Sequence, residues 1–177
     1  MERLVVIILV CIAPAIGLTQ TLSIVQIDSL VNNIESDSTL NVIGLDALDV
    51  FGSSYDGGGI VHLIYSENQL QAYKCDIGLS NGAVSFYMYF LNHVPIQFVE
   101  IEKRFRYVEE EARYDLTDLF DSFEEKVYVR NWEEANTEHF VSGTRTLSEA
   151  RSGIFEYEPE VEFALRLFKG ELQKQKR

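Results

Sequence analysis

Turn signals recur at short intervals through the middle of this chain, and they constrain its fold more than any other feature. They stand at Ser66-Glu67-Asn68, Ser80-Asn81-Gly82 and Asn92-His93-Val94-Pro95. Asn-Gly is typical of the tight turn that joins two antiparallel strands. The apolar segments around these turns have strand length and cover residues 60–65, 70–77, 83–91 and 96–107. The pattern predicts a meander of consecutive antiparallel strands.

Amphipathic segments flank this meander at both ends. Apolar residues recur at helical spacing from Ile24 to Ile34 and predict a first helix. Pro159 stands at a first-turn position, and apolar residues from Val161 to Leu172 share one side of a last helix. One more strand is predicted over 126–132, and a strand or a strand plus turn over 39–51. We therefore predict an α+β fold, in which about five antiparallel strands carry an N-terminal and a C-terminal helix.

The first twenty residues have the pattern of a signal peptide. Arg3 lies in a short polar start, an apolar run covers 4–12, and small residues follow at 15–17. The run is too short for a transmembrane helix, which needs about 20 apolar residues. We expect cleavage near Gly17 to Gln20 and an exported, periplasmic or extracellular protein without a transmembrane segment. Residues 21–177 then form one α+β domain, with a polar connector over 133–157 and the C-terminal helix over 158–177.

The net charge bears on the possible partners, and the cysteine content bears on disulfide bonding and location. The formal net charge is −13, and an acidic surface repels the phosphate backbone, so we expect no nucleic-acid partner. With Cys11 in the signal peptide, Cys75 is the one cysteine of the mature chain, which excludes an intramolecular disulfide. The sequence has no Asn-x-Ser/Thr glycosylation site, which favours a bacterial periplasm or exterior.

The order of these features resembles that of small uncharacterised exported bacterial proteins. The resemblance rests on the signal peptide, the amphipathic helix, the Gly-rich loop at 57–59, the hairpin Tyr65-Ser66-Glu67-Asn68-Gln69-Leu70, and the YFLN at Tyr89–Asn92. It covers about residues 20–132, whereas the tail over 133–177 departs from the pattern. Such proteins bring no known chemistry, so the resemblance implies only location and fold.

No motif in the chain indicates catalysis or a cofactor. His62, His93 and His139 are scattered, without the H-x-H or H-E-x-x-H spacing of a zinc site. The G-x-S-x-G and S-x-x-K motifs of serine enzymes are absent from the sequence. We therefore predict no catalytic residue and no cofactor. The alternative is a small secreted hydrolase whose catalytic residues come together from distant positions.

The predicted sheet carries aromatic residues on one face. In the strand over 83–91, Tyr87 and Tyr89 alternate with apolar residues, and the strand over 126–132 repeats this pattern. Tyrosine, tryptophan and arginine dominate protein interfaces and stack on ligand rings. The pattern predicts a binding surface formed by Tyr87, Tyr89, Tyr128, Arg130 and Trp132. The alternative is that the C-terminal helix covers this face through Phe163, Leu165 or Phe168.

An acidic stretch over 109–125 has two interpretations. Its carboxylates recur every three residues, and on a helix they would form one stripe opposite an apolar side. The stripe residues are Asp115, Asp118, Asp121 and Glu124. The first interpretation is the solvated side of a surface helix. The second is a calcium site, because hard cations bind clustered carboxylate oxygens, although the spacing is not that of an EF-hand.

These features favour a non-enzymatic exported module that binds an envelope protein, an extracellular protein or a small ligand. We expect the mature N-terminus to lie between Leu18 and Thr21, because the apolar run ends there and small residues precede it. Mass spectrometry of the exported protein measures this directly. An intact chain beginning at Met1 in the membrane fraction would show instead that the segment is a signal anchor.

Overall fold

One antiparallel sheet of seven strands dominates the computed structural model, which describes residues 21–151 and 153–175. Each strand pairs with the next along the chain. The strands are β1 (Asn41–Asp46), β2 (Gly59–Ser66), β3 (Gln69–Leu79), β4 (Gly82–Leu91), β5 (Val94–Val108), β6 (Arg113–Asn131) and β7 (Asn136–Gly143). The predicted antiparallel meander is confirmed, but it has seven strands rather than about five. The predicted signal peptide lies outside the described residues.

Three helices accompany the sheet: α1 (Ile24–Ser36), α2 (Ala47–Phe51) and α3 (Glu158–Gln175). The N-terminal and C-terminal helices are confirmed. Short 3-10 turns cover Glu109–Glu111 and Ile154–Tyr157, the second directly before α3. Among the described residues, no helix combines the length and the apolar character that crossing a membrane requires.

The turn residues account for the hairpins of the meander. Glu67 has a φ of 55°, and Asn92 and His93 have φ of 51° and 67°. Two-residue hairpin turns need such left-handed conformations, because only these match the twist of the flanking strands. Asparagine tolerates this conformation better than most residues. Asn92 therefore favours the backbone angle that the β4–β5 hairpin needs, whereas in the β2–β3 hairpin Glu67 rather than Asn68 takes the left-handed conformation.

Both ends of the sheet contain elements beyond those predicted, since α2 follows the predicted strand at one end and β7 lies at the other. Residues 39–51 form β1 and the short helix α2, whose first turn is capped by a 2.8 Å hydrogen bond from the Leu48 N–H to Asp46 Oδ1. Within the predicted connector over 133–157, residues Asn136–Gly143 form β7. Most of its side chains are exposed, and it is an edge strand of the sheet. Part of the predicted polar connector is therefore strand.

The acidic stretch forms a strand, so the predicted surface helix is wrong. Residues from Arg113 onward belong to β6, and the pairing with β5 places Leu119 opposite Phe105 and Tyr114 opposite Tyr107. The rings of Tyr107 and Tyr114 meet edge to face at 5.2 Å. Such cross-strand pairs stabilise strands, and here they outweigh the helical spacing of the apolar residues.

The far ends of β5 and β6 form a two-stranded arm. Pairing of β4 with β5 ends at Arg104, and pairing of β7 with β6 ends at Phe123. Beyond these points no strand other than β5 and β6 takes part in the pairing. We define the arm as residues 105–119, which include the exposed side chains of Leu116 and Leu119.

Helices cover the two faces of the central sheet and bury a core on each. On one face α3 packs over β2 to β6, and the buried residues include Leu63, Met88, Phe90, Phe98, Val127, Tyr157 and Phe168. On the other face α1 packs through Ile27, which is fully buried. The residues buried beneath it include Ala72, Tyr89, Ile96, Val99 and Tyr128. Strands covered on both sides explain why the central segments are apolar throughout.

The Gly-rich loop before β2 packs directly on β3. Gly57 donates its N–H to the Gly78 carbonyl at 3.1 Å, and the Gly78 N–H donates to the Gly58 carbonyl at 2.9 Å. A Cβ atom at Gly78 would lie 2.6 Å from the Gly57 oxygen. Glycine is therefore required because the two backbones touch.

Candidate functional site

Three of the five predicted binding residues line one cavity between α1 and the sheet. Tyr87, Tyr89 and Tyr128 surround a space of about 250 Å³, which we call the tyrosine pocket. Its other lining residues are Asp28, Val31, Asn32, Gln97, Val99, Ile101 and Lys126. The structure therefore brings residues from β4, β5 and β6 together under one helix.

The strand register builds the floor of the tyrosine pocket. Val99 of β5 stands between Tyr87 and Lys126 in one row across the sheet. In the next row, Gln97 stands between Tyr89 and Tyr128. Because side chains two residues apart on a strand share a face, the two rows lie side by side and all point toward α1.

Helix α1 forms the roof, and its first turn is fixed to the end of β6. Ser23 and Gln26 make a capping box, in which the Ser23 N–H donates to Gln26 Oε1 at 2.9 Å. Leu22 donates its N–H to the Arg130 carbonyl at 3.0 Å, and Arg130 Nε donates to the Leu22 carbonyl at 3.2 Å. This anchoring begins within a few residues of the predicted cleavage site.

The tyrosine hydroxyls donate to carboxylates around the pocket. The Tyr128 hydroxyl donates to Asp28 Oδ1, and the Tyr87 hydroxyl donates to Asp76 Oδ1, both at 2.9 Å. Burial, followed by the nearby Asp28, raises the pKa of Tyr128 to about 12. Burial and then Glu35 raise the pKa of Tyr89 as well. These tyrosines therefore stay protonated and act as ring surfaces and neutral hydrogen-bond groups.

The two lysines beside the pocket form ion pairs. Lys74 Nζ lies 2.7 Å from Glu35 Oε2 and stands 5.4 Å from the centre of the Tyr87 ring. Lys126 Nζ lies 3.1 Å from Glu124 Oε1. The buried part of the pocket consequently offers aromatic rings and the amide of Gln97, with paired charges at its margin.

Helix α1, rather than the C-terminal helix of the alternative, covers the face that carries the tyrosines, so the five predicted residues do not form one open surface. Tyr89 and Tyr128 are only 4% and 7% exposed, because the N-terminal helix packs on this face. Trp132 lies on the opposite face, where its ring centre is 6.1 Å from that of Phe98. The cause is local, since β6 shifts register between Val129 and Asn131 and ends at Asn131.

Known proteins provide no model for this site. No family model, curated protein or solved structure matches this chain. Its chemistry is therefore inferred from its own residues.

A buried ionic cluster on the α3 face was missed by the sequence patterns. It consists of Glu100, Glu102, Glu125, Arg145 and Arg151. Arg145 bridges two strands, because Nη1 donates to Glu100 of β5 and Nη2 lies 2.6 Å from Glu125 Oε2 of β6. The available signal was the alternation of Phe98, Glu100 and Glu102, which places two acids on an apolar face of a central strand.

Glu102 is the fully buried member of this cluster. Its carboxylate accepts the backbone N–H groups of Thr146, Leu147 and Ser148 at 2.6, 2.9 and 2.9 Å. The Ser148 hydroxyl donates to it at 2.7 Å. Burial raises the pKa of this carboxyl, but the hydrogen bonds from Ser148, Thr146 and Leu147 together outweigh that effect and hold it below its ordinary value.

The four residues of the predicted acidic stripe do not form one ligand set. On a strand, a spacing of three places successive side chains on opposite faces. Asp118 pairs with Arg106, Asp121 lies 3.6 Å from Lys103, and Glu124 pairs with Lys126. Asp115 accepts the N–H and hydroxyl of Thr117 at 2.9 and 2.7 Å. In the described part of the chain, no group of three His, Cys, Asp or Glu residues is arranged to hold a metal ion.

We expect Glu102→Gln to lower the free energy of unfolding at pH 7 by at least about 2 kcal/mol, since hydrogen bonds to a buried charge are strong. The pKa of Glu102 is lower in the folded chain than in the unfolded one. The ionised carboxylate therefore contributes its full share to the free energy of unfolding above about pH 4.3, the ordinary glutamate pKa. That share is lost as the pH falls through the lowered pKa of the folded chain. Urea denaturation across this range measures the difference between wild type and variant.

Glu110→Gln is the matched control, because Glu110 is exposed on the 3-10 turn that joins the two strands of the arm. We expect this variant to unfold within about 0.5 kcal/mol of wild type at every pH. A stability difference for Glu102→Gln that is as large at about pH 3 as at pH 7 would contradict the assigned role of the charge.

Proposed function

We propose that this protein is an exported, non-enzymatic binding module that takes a small ligand with a flat ring into the tyrosine pocket. The observation that carries the proposal is the convergence of Tyr87, Tyr89 and Tyr128 on one cavity of about 250 Å³. Tyrosine rings offer a large rigid contact area and a polar tip, so they bind rings by stacking and edge contacts. Ligand pockets typically combine such apolar walls with a few polar groups.

The size of the cavity limits the ligand. Pockets for drug-sized molecules have volumes of about 300–1,000 Å³, and the tyrosine pocket lies below that range. A single-ring compound is therefore the class that fits. Gln97 is buried in the floor and Asp28 and Lys126 lie at the margin, so hydroxyl, amine or carboxylate substituents would each find a polar group.

Export of the protein is part of the same proposal. The signal-like residues 1–20 favour a periplasmic or extracellular location, and the anchoring of Leu22 to Arg130 is compatible with a mature chain that begins just before it. The net charge of −13 disfavours nucleic acid as a partner. An envelope protein remains the alternative partner to a small ligand.

Three compounds that share one ring test the proposal: phenol, tyramine and 4-hydroxybenzoate. They are neutral, cationic and anionic at pH 7, so calorimetric titration also reveals which charge the margin prefers. We expect at least one to bind wild type, and Tyr87→Leu to weaken that binding by about tenfold or more, because the variant loses a ring contact and a hydroxyl.

Trp132→Phe is the control, because Trp132 packs on the opposite face of the sheet. It should bind the same compound with unchanged affinity. Failure of all three compounds to bind wild type would reject the small-ring ligand. Equal binding by Tyr87→Leu and wild type would place the site elsewhere.

A hydrolase is the second candidate, and one hydrogen-bond chain favours it. Thr137 Oγ1 lies 3.3 Å from His139 Nε2, and His139 Nδ1 lies 3.0 Å from Glu125 Oε1. This order of hydroxyl, imidazole and carboxylate is that of a catalytic triad. We rank it second because Glu125 also pairs with Arg145, and because Thr137 and His139 stand two residues apart on an edge strand.

Thr137→Val separates the two functions, since it removes the hydroxyl and keeps the shape of the side chain. We expect the variant to hydrolyse 4-nitrophenyl acetate at the wild-type rate. General-base activation contributes about 100-fold or more to a rate, so a hydrolase would lose at least that much in Thr137→Val and in His139→Gln. His62→Gln, on β2, is the matched histidine control.

A further inference from the structure

Two adjoining cavities lie on the α3 face, opposite the tyrosine pocket. One is polar, has a volume of about 300 Å³, and is lined by residues that include Glu100, Ser148 and Arg151. The other is apolar, has a volume of about 380 Å³, and is lined by residues that include Met88 and Phe163. Phe86 and Glu160 line both cavities, so a single molecule could occupy the two together.

Three buried polar atoms at this junction have no hydrogen-bond partner among the described residues. They are Glu100 Oε1, Glu160 Oε2 and Arg151 Nη1. Glu100 is only 5% exposed. A buried polar atom without a hydrogen-bond partner lowers the stability of the fold by about 1–3 kcal/mol. Three such atoms at one point indicate a ligand that would supply the missing hydrogen bonds.

The remaining contacts show how these groups are held. Arg151 Nη2 lies 3.0 Å from Glu160 Oε1, and Arg151 Nε lies 3.4 Å from Glu100 Oε1. The guanidinium stands 4.4 Å from the ring centre of Tyr157. Arg151 therefore lies between two carboxylates. Glu100 Oε1 has an ion-pair contact but no hydrogen bond, and Arg151 Nη1 and Glu160 Oε2 have no hydrogen bond among the described residues.

The unpartnered atoms select the ligand. Glu100 Oε1 and Glu160 Oε2 require a donor, which an ammonium group supplies, and Arg151 Nη1 requires an acceptor, which a carboxylate supplies best. The adjoining cavity has walls of Tyr73, Met88 and Phe163, which suit an aliphatic chain.

We propose that this junction is a binding site for a free α-amino acid with an apolar side chain. Glu100 and Glu160 hold the ammonium group, Arg151 holds the carboxylate, and the side chain enters the apolar cavity. Arg151 has 23% of its side chain exposed, so its movement admits the ligand. Glu102 keeps residues 146–148 fixed beside it. The site is separate from the tyrosine pocket and does not depend on it.

Three aliphatic probes test the assignment on the wild-type protein: L-leucine, 3-methylbutylamine and 4-methylpentanoate. The amine lacks the carboxylate of leucine, and the acid lacks its ammonium group. We expect L-leucine to bind in calorimetric titration at least about tenfold more tightly than either analogue, because only leucine satisfies both kinds of unpartnered atom. Failure of leucine to bind, or equal affinity for the amine, would overturn the proposal.

Variants then locate the site. Arg151→Gln and Glu160→Gln should each weaken leucine binding by about tenfold or more, while Tyr87→Leu, on the opposite face, should leave it unchanged. Circular dichroism and thermal melts identify any variant that fails to fold, and the comparison of the three probes on wild type decides the question without the variants. Because these probes contain no ring, their outcome is distinct from that of the phenol series.

Discussion

Glu102 accepts five hydrogen bonds from residues 146–148, and the position of the whole C-terminal part of the chain follows from them. The described residues between β7 and α3 form no strand, yet this segment must return across β5 and β6 before α3 can begin. Glu102 fixes its backbone, and Arg145 ties it to Glu100 and Glu125. The 3-10 turn that carries Tyr157 then packs on Phe98, with ring centres 4.2 Å apart.

This arrangement also explains why buried charges are tolerated in a small core. A buried carboxylate is costly unless paired or hydrogen-bonded. Glu102 has several N–H donors but no ion-pair partner in the described part of the chain. Glu100 and Glu125 share Arg145, whose guanidinium lies 4.3 Å from the Phe123 ring centre. The acids therefore act as attachment points for a segment too polar to dock by apolar contacts alone.

Turns and helices could be predicted from the sequence because their signals are local. Asn92 favours the left-handed backbone angle of its turn, and the 24–34 segment specifies one apolar side, without reference to any other part of the chain. The arm and β7 could not be predicted this way, since their strand conformation comes from pairing. Leu116 and Leu119 have helical spacing and become strand residues because β5 lies beside them.

Prediction of the binding residues was limited in the same way, because a local pattern does not reveal what depends on pairing and packing. Alternation correctly grouped Tyr87, Tyr89 and Tyr128, because the strands that carry them are regular where these residues lie. Trp132 was misplaced by a register shift and a strand end that alternation cannot reveal. The helix that covers the tyrosines was itself predicted, but which face each helix takes depends on packing between distant segments.

The two ends of β6 have different structural surroundings, because only one of them belongs to the arm. Near Val127 the strand has partners on both sides and a helix above, whereas near Leu116 it has only β5 and solvent. Opening of the arm breaks few buried contacts, so its amide hydrogens can exchange with solvent while those around Val127 exchange only through much larger unfolding. One continuous strand of 19 residues therefore spans two cooperative units, and the boundary lies where β4 and β7 cease to pair.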